Sequence, residues 1–216
     1  MPRQNRVTPF GTLIATPHRG TLMGNRGCLH DDEGVIRRRF VGRRWISCLL
    51  SFKDRRRTIM APNRYTELFF LDEATALAAG HRPCVECQRA RYQLFLTHWL
   101  AGQPGRAGAT PARVDDVDRV LHVERLGDVA AVVESPRRLP AGVMVAEGDE
   151  AFLVVQDALR RWTPAGYERA EMVDRPLRVL TPPSLVRTIA SGYPLTIHPS
   201  AEPSWAGPDQ AARPLM

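Results

Sequence analysis

The octapeptide Gly80-His-Arg-Pro-Cys-Val-Glu-Cys87 constrains this chain more than any other stretch of it. Two cysteines separated by two residues chelate one tetrahedral ion, and here they stand between two helical patterns. Upstream, Asp72 is a good N-cap for a helix through Ala79, with Gly80 in the position just past its end. Downstream, Tyr92, Phe95, Leu96 and Trp99 recur at helical spacing, which predicts a helix from about Val85 to Leu100 with its apolar face packed on a sheet. A helix start beside the two cysteines lowers their pKa values.

A Cys-x-x-Cys supplies only half of a tetrahedral site. Cys28 and Cys48 are the only other thiols, so the sequence predicts a zinc site built from Cys28, Cys48, Cys84 and Cys87. Replacement of one cysteine by His30, His81 or His18 is the variant, and a redox pair or inert buried thiols are the competing readings. No apolar signal segment follows Met1-Pro-Arg-Gln-Asn-Arg6, and no apolar run approaches the roughly 20 residues of a membrane-spanning helix. The expectation is a cytoplasmic protein with reduced thiols and no membrane partner.

Charge narrows the partner. The 30 basic residues include a single lysine, Lys53, and residues 1–70 hold 14 of the 30 against five acids, so the amino-terminal third carries the positive field of a chain whose net charge is +7. The stretch from Arg37 to Phe52 reads as two strands turning near Gly42, with Thr58-Ile-Met60 returning as a third. That hairpin sheet gathers Arg37, Arg38, Arg39, Arg43, Arg44, Lys53, Arg55, Arg56 and Arg57 beside Trp45, a pattern that suits nucleic acid, DNA first. A solvated basic face, or one that docks an acidic protein, is the alternative.

At 44% hydrophobic residues the chain buries a real core, and the predicted class is α+β. Residues 1–101 form a small zinc-binding α/β domain with a hairpin sheet and two helices, residues 102–118 a linker rich in Gly, Pro and Ala, residues 119–199 a small β-rich domain, and residues 200–216 a loose tail. In the β-rich part Gly142–Ala146, Ala151–Val155, Leu159–Trp162 and Leu177–Leu180 are strand-like runs, Glu147-Gly-Asp-Glu150 is a hairpin turn, and Ser184–Ala190 is a short helix. Trp162 and Tyr167, placed around a turn, read as a strand-end pair packed on the core.

The stretch Phe69–Gln88 resembles the end of the metal-binding domain of Ada-type DNA-alkylation repair proteins. The shared pattern is the aromatic strand with Phe70, the helix with Glu73 and Ala74 that runs to Ala78 and Gly80, then His81-Arg-Pro83, Cys84 and Cys87, with Asn63 matching an asparagine before the strand. The resemblance covers about 26 residues and implies a zinc domain that binds DNA. It also implies that one zinc thiolate takes a methyl group from a methylphosphotriester. By position Cys48, in Trp45-Ile-Ser-Cys48, is that acceptor, with Cys28 the alternative. Where the family has its next cysteine, four residues on, this chain has Phe52, so Cys28 would supply the fourth ligand from upstream. No helix-turn-helix and no Pro-Cys-His-Arg motif accompanies it.

A reading from another class rests on the loop Asn25–Glu33: Cys28 as a nucleophile with His30 or His18 as its base, or Asp31-Asp32-Glu33 as a hard-metal site, in a hydrolase of nucleic acid or nucleotides. A third is a structural zinc module that binds a protein partner.

Overall fold

The computed structural model of the chain describes residues 1–55, 58–103, 113–126 and 133–202. Among these residues the fold is α+β, with two six-stranded sheets and four α-helices. The first sheet contains β1 (Gln4–Val7), β2 (Leu13–Ala15), β3 (Leu22–Asn25), β4 (Ile46–Cys48), β5 (Leu68–Phe70) and β6 (Arg82–Pro83), in the order β2-β1-β5-β3-β4-β6. Two of its pairings are parallel, β1 with β5 and β4 with β6. The others are antiparallel.

The basic hairpin expected over residues 37–60 does not form. Among the described residues of this stretch only Ile46–Cys48 is a strand, and its antiparallel partner is β3, in the register Met23↔Cys48. The backbone of residues 37–41 bonds instead to the loop before it: Arg37 and Arg38 donate to the Leu29 carbonyl and Val41 to that of Arg26. Met60 sits in a turn with φ +56°, its N–H taken by the buried Glu67 carboxylate at 2.7 Å, so a strand over Thr58–Met60 has no ladder to join.

Between the sheets lies α1 (Glu73–Ala78), every residue of which is buried. Its start is capped as predicted: Asp72 Oδ1 accepts from the Thr75 N–H and hydroxyl at 2.9 and 2.8 Å. Its end is a Schellman motif, in which Gly80 N–H donates to Leu77 O and His81 N–H to Ala76 O, with Gly80 at φ +78°. Ala76 and Ala79 pack with Val7, Leu68 and Phe70 of the first sheet, while Ala74 and Ala78 pack with Met144 and Leu153 of the second.

That second sheet is wholly antiparallel, in the order β11-β10-β9-β8-β12-β7. Its members are β7 (Val133–Glu134), β8 (Met144–Glu147), β9 (Glu150–Val155), β10 (Ala158–Thr163), β11 (Gly166–Ala170) and β12 (Leu177–Val179). Strands β8 to β11 follow one another through two-residue turns, the first of them the Gly148-Asp149 turn expected from the sequence. Trp162 and Tyr167 face each other across β10 and β11 and pack on the core as expected.

Three helices cover the other face: α2 (Arg89–Gly102), α3 (Val114–Leu126) and α4 (Pro183–Ala190). Phe95 and Trp99 of α2 join Val117 and Leu121 of α3, Leu185 of α4, and Val143, Val145 and Leu159 of the sheet in one cluster. The two halves of the chain thus share a core. Of the expected linker, residues 104–112 lie outside the described residues, but 114–118 are already helical and Val117 is fully buried. The tail beyond residue 202 also lies outside them. No helix among the described residues is long and apolar enough to cross a membrane.

Candidate metal centre

Parallel pairing of β4 with β6, Ile46↔Arg82 and Ser47↔Pro83, brings Cys48 and Cys84 to the same end of the sheet. The Ser47 carbonyl ties them: it accepts from the Cys84 N–H at 2.9 Å and from Gln88 Nε2 at 2.9 Å. Strand β6 is fixed from behind by a two-pronged ion pair. Arg82 Nε and Nη2 donate to the two carboxylate oxygens of Asp118 at 2.9 and 2.8 Å, and both side chains are 2% exposed. The Arg-Pro step of the octapeptide is therefore an anchor for the thiols.

The sulfur atoms of Cys48, Cys84 and Cys87 all lie within 4.8 Å of one another. A tetrahedral zinc with Zn–S bonds of about 2.3 Å sets its sulfurs about 3.8 Å apart, so a small contraction seats the ion, and three soft thiolate donors suit zinc well. Backbone N–H groups point at the sulfurs, as a thiolate site requires. Glu86 donates to Cys84 Sγ at 3.4 Å, joined by Cys87, and Leu49 donates to Cys87.

The Cys48 thiol, hydrogen-bonded to Cys84, pulls the Cys84 pKa down to about 5, aided by the N–H groups of Cys87 and Glu86. The same bond, with burial, drives Cys48 far up, and burial raises Cys87. Met23, Ile46 and Phe69 floor the site. Leu49, Leu50 and Val85 are exposed around it, and Arg55 pairs with Glu86 at 2.7 Å, which ties the loop carrying Lys53 to the Cys84–Cys87 turn.

Cys28 stands apart from this trio. Its half-buried thiol donates to the His30 carbonyl at 3.6 Å, a weak bond to its own loop. None of the expected histidine substitutes joins the sulfurs among the described residues. His30 Nε2–H donates to the Ala61 carbonyl at 3.2 Å, which makes Nδ1 the acceptor of the Thr66 hydroxyl at 2.6 Å. With both nitrogens used to pin loops, His30 has no nitrogen left to act as a base for Cys28. The Asp31-Asp32-Glu33 run is a turn: Asp31 accepts from the Val35 N–H and from Arg37, while Asp32 and Glu33 are exposed. His81 is fully buried and packs as an aromatic ring, 5.2 Å from Trp45 and 4.7 Å from Phe70 between centroids.

Arg38, Arg39, Arg43 and Arg44 are exposed, Arg37 pairs with Asp31, Lys53 and Arg55 flank Phe52, and Arg56 and Arg57 lie outside the described residues. Trp45 is 2% exposed and is no stacking platform for a base. It is buried because two guanidiniums lie over its ring, Arg26 at 4.7 Å and Arg125 at 4.1 Å. Neither arginine stood out in the sequence, where Arg125 falls 80 residues away from Trp45. Comparison with models of known protein families, with curated proteins and with solved structures gives no match to this chain.

Proposed function

We propose that Cys48, Cys84 and Cys87 hold a zinc ion and that the surface around them binds DNA. One observation carries the reading: three sulfurs within 4.8 Å of one another, beside a loop that presents Lys53 and Arg55. Zinc, when bound, keeps the sulfurs deprotonated at neutral pH. Three protein ligands, the number among the described residues, are the pattern of reactive rather than structural zinc sites.

The likeness of Phe69–Gln88 to Ada-type domains sharpens this into methyl acceptance from a methylphosphotriester. In that step a sulfur lone pair attacks the methyl carbon, the S–C bond forms as the C–O bond breaks, and the phosphate oxygen keeps the electron pair as a diester anion. Position in the sequence favours Cys48 as the acceptor. Exposure favours Cys87, which is half-buried where Cys48 and Cys84 are each 7% exposed.

Metal content of the purified protein and of its four single Cys→Ser variants tests the centre. One zinc per chain is expected, lost in the Cys48, Cys84 and Cys87 variants and kept in C28S; a metal-free protein, or one indifferent to those three, overturns the reading. Fluorescence anisotropy with duplex DNA across a salt series tests the partner, because phosphate contacts impose a steep loss of affinity with salt. Mass spectrometry after incubation with methylphosphotriester DNA then reads the gain of one methyl group and the residue that carries it.

A further inference from the structure

Trp45 immediately precedes β4, its carbonyl accepting from the Arg82 N–H, and Cys48 closes that strand three residues on, so alternation sends their side chains to opposite faces of the first sheet. On the Trp45 face opens a cavity of about 420 Å³, within the range of small-molecule sites. Its walls come from the turn between β1 and β2, from the ends of α1 and α3, and from β12 with the start of α4. A second cavity, of about 440 Å³, shares Phe10, Gly11 and Arg39 with it. The two form one cleft that folds around the Phe10-Gly11 turn.

Its charges are unbalanced. Arg39, Arg125 and Arg178 line the first cavity and Arg26 the second, and among the described residues none of the four has a carboxylate within ion-pair distance. The two acids in the wall are already engaged. Glu124 accepts from the Ser184 N–H and hydroxyl and lies 3.8 Å from Arg187, and Glu134 accepts from the Ser135 N–H and lies 3.9 Å from Arg138.

Arg26 is the decisive group. It is 1% exposed, its Nη2 donates to the Gly11 carbonyl at 2.9 Å, and its Nε and Nη1 have no partner among the described residues. Arg125 gives Nη1 to the Gly80 carbonyl and Nη2 to that of Arg43, while its Nε is buried and unpaired. Burial, with the nearby Arg39 charge, pulls Arg26 down to about 10, and burial, with Arg26 and Arg82 nearby and Asp118 partly opposing, pulls Arg125 down to about 9. Both remain cations at neutral pH. Keeping buried donors unpaired and like charges together costs free energy that a bound anion recovers.

We propose that this cleft binds a small organic phosphate monoester. Arg26, Arg39, Arg125 and Arg178 take its phosphate oxygens, and Phe10, Leu180 and Val186 take its apolar body. A phosphate monoester carries close to two negative charges at neutral pH and presents three acceptor oxygens, which suits a cluster of four cations better than a single carboxylate does. The site stands on observations separate from the thiol trio and makes no use of the metal.

Isothermal titration calorimetry of the full chain at fixed ionic strength tests it with phenyl phosphate, adenosine 5′-monophosphate, inorganic phosphate and benzoate as probes. The expected result is one saturable site for at least one of the two esters, at least tenfold tighter than for inorganic phosphate or benzoate. Exposed Arg39 and Arg178 provide variants that leave the core intact: R39Q/R178Q is expected to weaken the ester at least tenfold with an unchanged melting temperature. The buried R125Q is expected to weaken it further. Absence of saturable ester binding, benzoate binding as tight as the ester, or an affinity untouched in R39Q/R178Q each overturns the proposal.

Discussion

Each sheet has six strands, yet the longest strands of the first have four residues, while β9 and β10 of the second have six each. The second sheet runs as a meander over an apolar cluster in which Val143, Val145 and Leu159 meet three helices. The first crosses itself, with β5 inserted between β1 and β3, and its faces are held at points: His30 to Thr66, Glu67 to Met60, Arg82 to Asp118, and the three sulfurs. A short strand cannot bury enough apolar surface to fix its own place, so buried polar pins with few alternative partners fix it instead. The first sheet should therefore fail by loss of single contacts and the second by loss of volume.

The largest effect that breaks this contrast is expected at the Arg82–Asp118 pair. Asp118→Ala leaves a fully buried guanidinium without its counter-charge and should cost about 3–5 kcal/mol in urea denaturation. Zinc affinity should fall with it, because Arg82 anchors the strand that leads into Cys84. A loss below about 1 kcal/mol, or unaltered zinc binding, would show that β6 is held by something other than this pin.

The matching test on the second sheet is Leu153→Ala. Leu153 is fully buried against Met144, Ala151 and α1, and its truncation should cost about 2–5 kcal/mol through lost transfer energy and the cavity left behind. Here the zinc content of the folded protein should not change. If Leu153→Ala strips the metal while Asp118→Ala does not, the division between pinned and packed sheets is wrong.

The same division explains what the sequence made legible. The second sheet's hairpin at Gly148-Asp149, the cap at Asp72, the stop at Gly80 and the apolar face of α2 are local patterns, each written within a few residues. The Cys84–Cys87 turn and Cys48 were legible as candidate ligands for the same reason, since spacing and residue type mark that chemistry, and the fold brings their sulfurs together. What escaped depends on contacts far apart in the chain. Strands β1 to β3 have only three or four residues each, too few to show an alternating pattern, and Asp118, in a stretch that reads as linker, is the buried partner of Arg82, 36 residues away. Counting thiols placed Cys28 in the site, but its loop turns its sulfur to His30. Trp45 reads as an exposed ring among arginines, whereas Arg26 and Arg125, far from it in sequence, lie over its indole and bury it.

His81 gives a smaller effect, read through pH. Burial, with Arg26 and Arg125 nearby, holds its pKa well below 6.5, so the folded protein binds fewer protons there than the unfolded chain. That contribution to stability is present above about pH 6.5 and is lost as pH falls below it, at up to about 1.4 kcal/mol per pH unit. Neither ring nitrogen makes a well-formed hydrogen bond among the described residues, the Ala76 and Ala79 backbone offering weak contacts alone, so His81→Phe keeps the aromatic contacts and removes the titration. His122 and His198 are shifted the same way by burial and stay in both proteins, so the difference between wild type and variant isolates His81. Denaturation at pH 7.5 and pH 5 should show the variant losing less; equal losses would mean that His81 is not held neutral.

The smallest effect on stability separates fold from partner. Arg55 and Glu86 are both about half exposed, so Arg55→Ala should change stability by about 0–1 kcal/mol. If DNA lies across the thiol face, the same substitution removes one phosphate contact and leaves Glu86 unpaired beside the Cys84–Cys87 turn. The slope of log affinity against log salt should then shrink by about 0.9. Arg160, buried in the second sheet with its Nε on the Ala201 carbonyl, supplies the opposite case: Arg160→Ala should reduce stability and leave the salt slope of the folded protein alone. An unchanged slope in Arg55→Ala would move the DNA surface away from the thiols, toward the exposed Arg38, Arg43 and Arg44, and would detach the metal centre from the partner it is proposed to read.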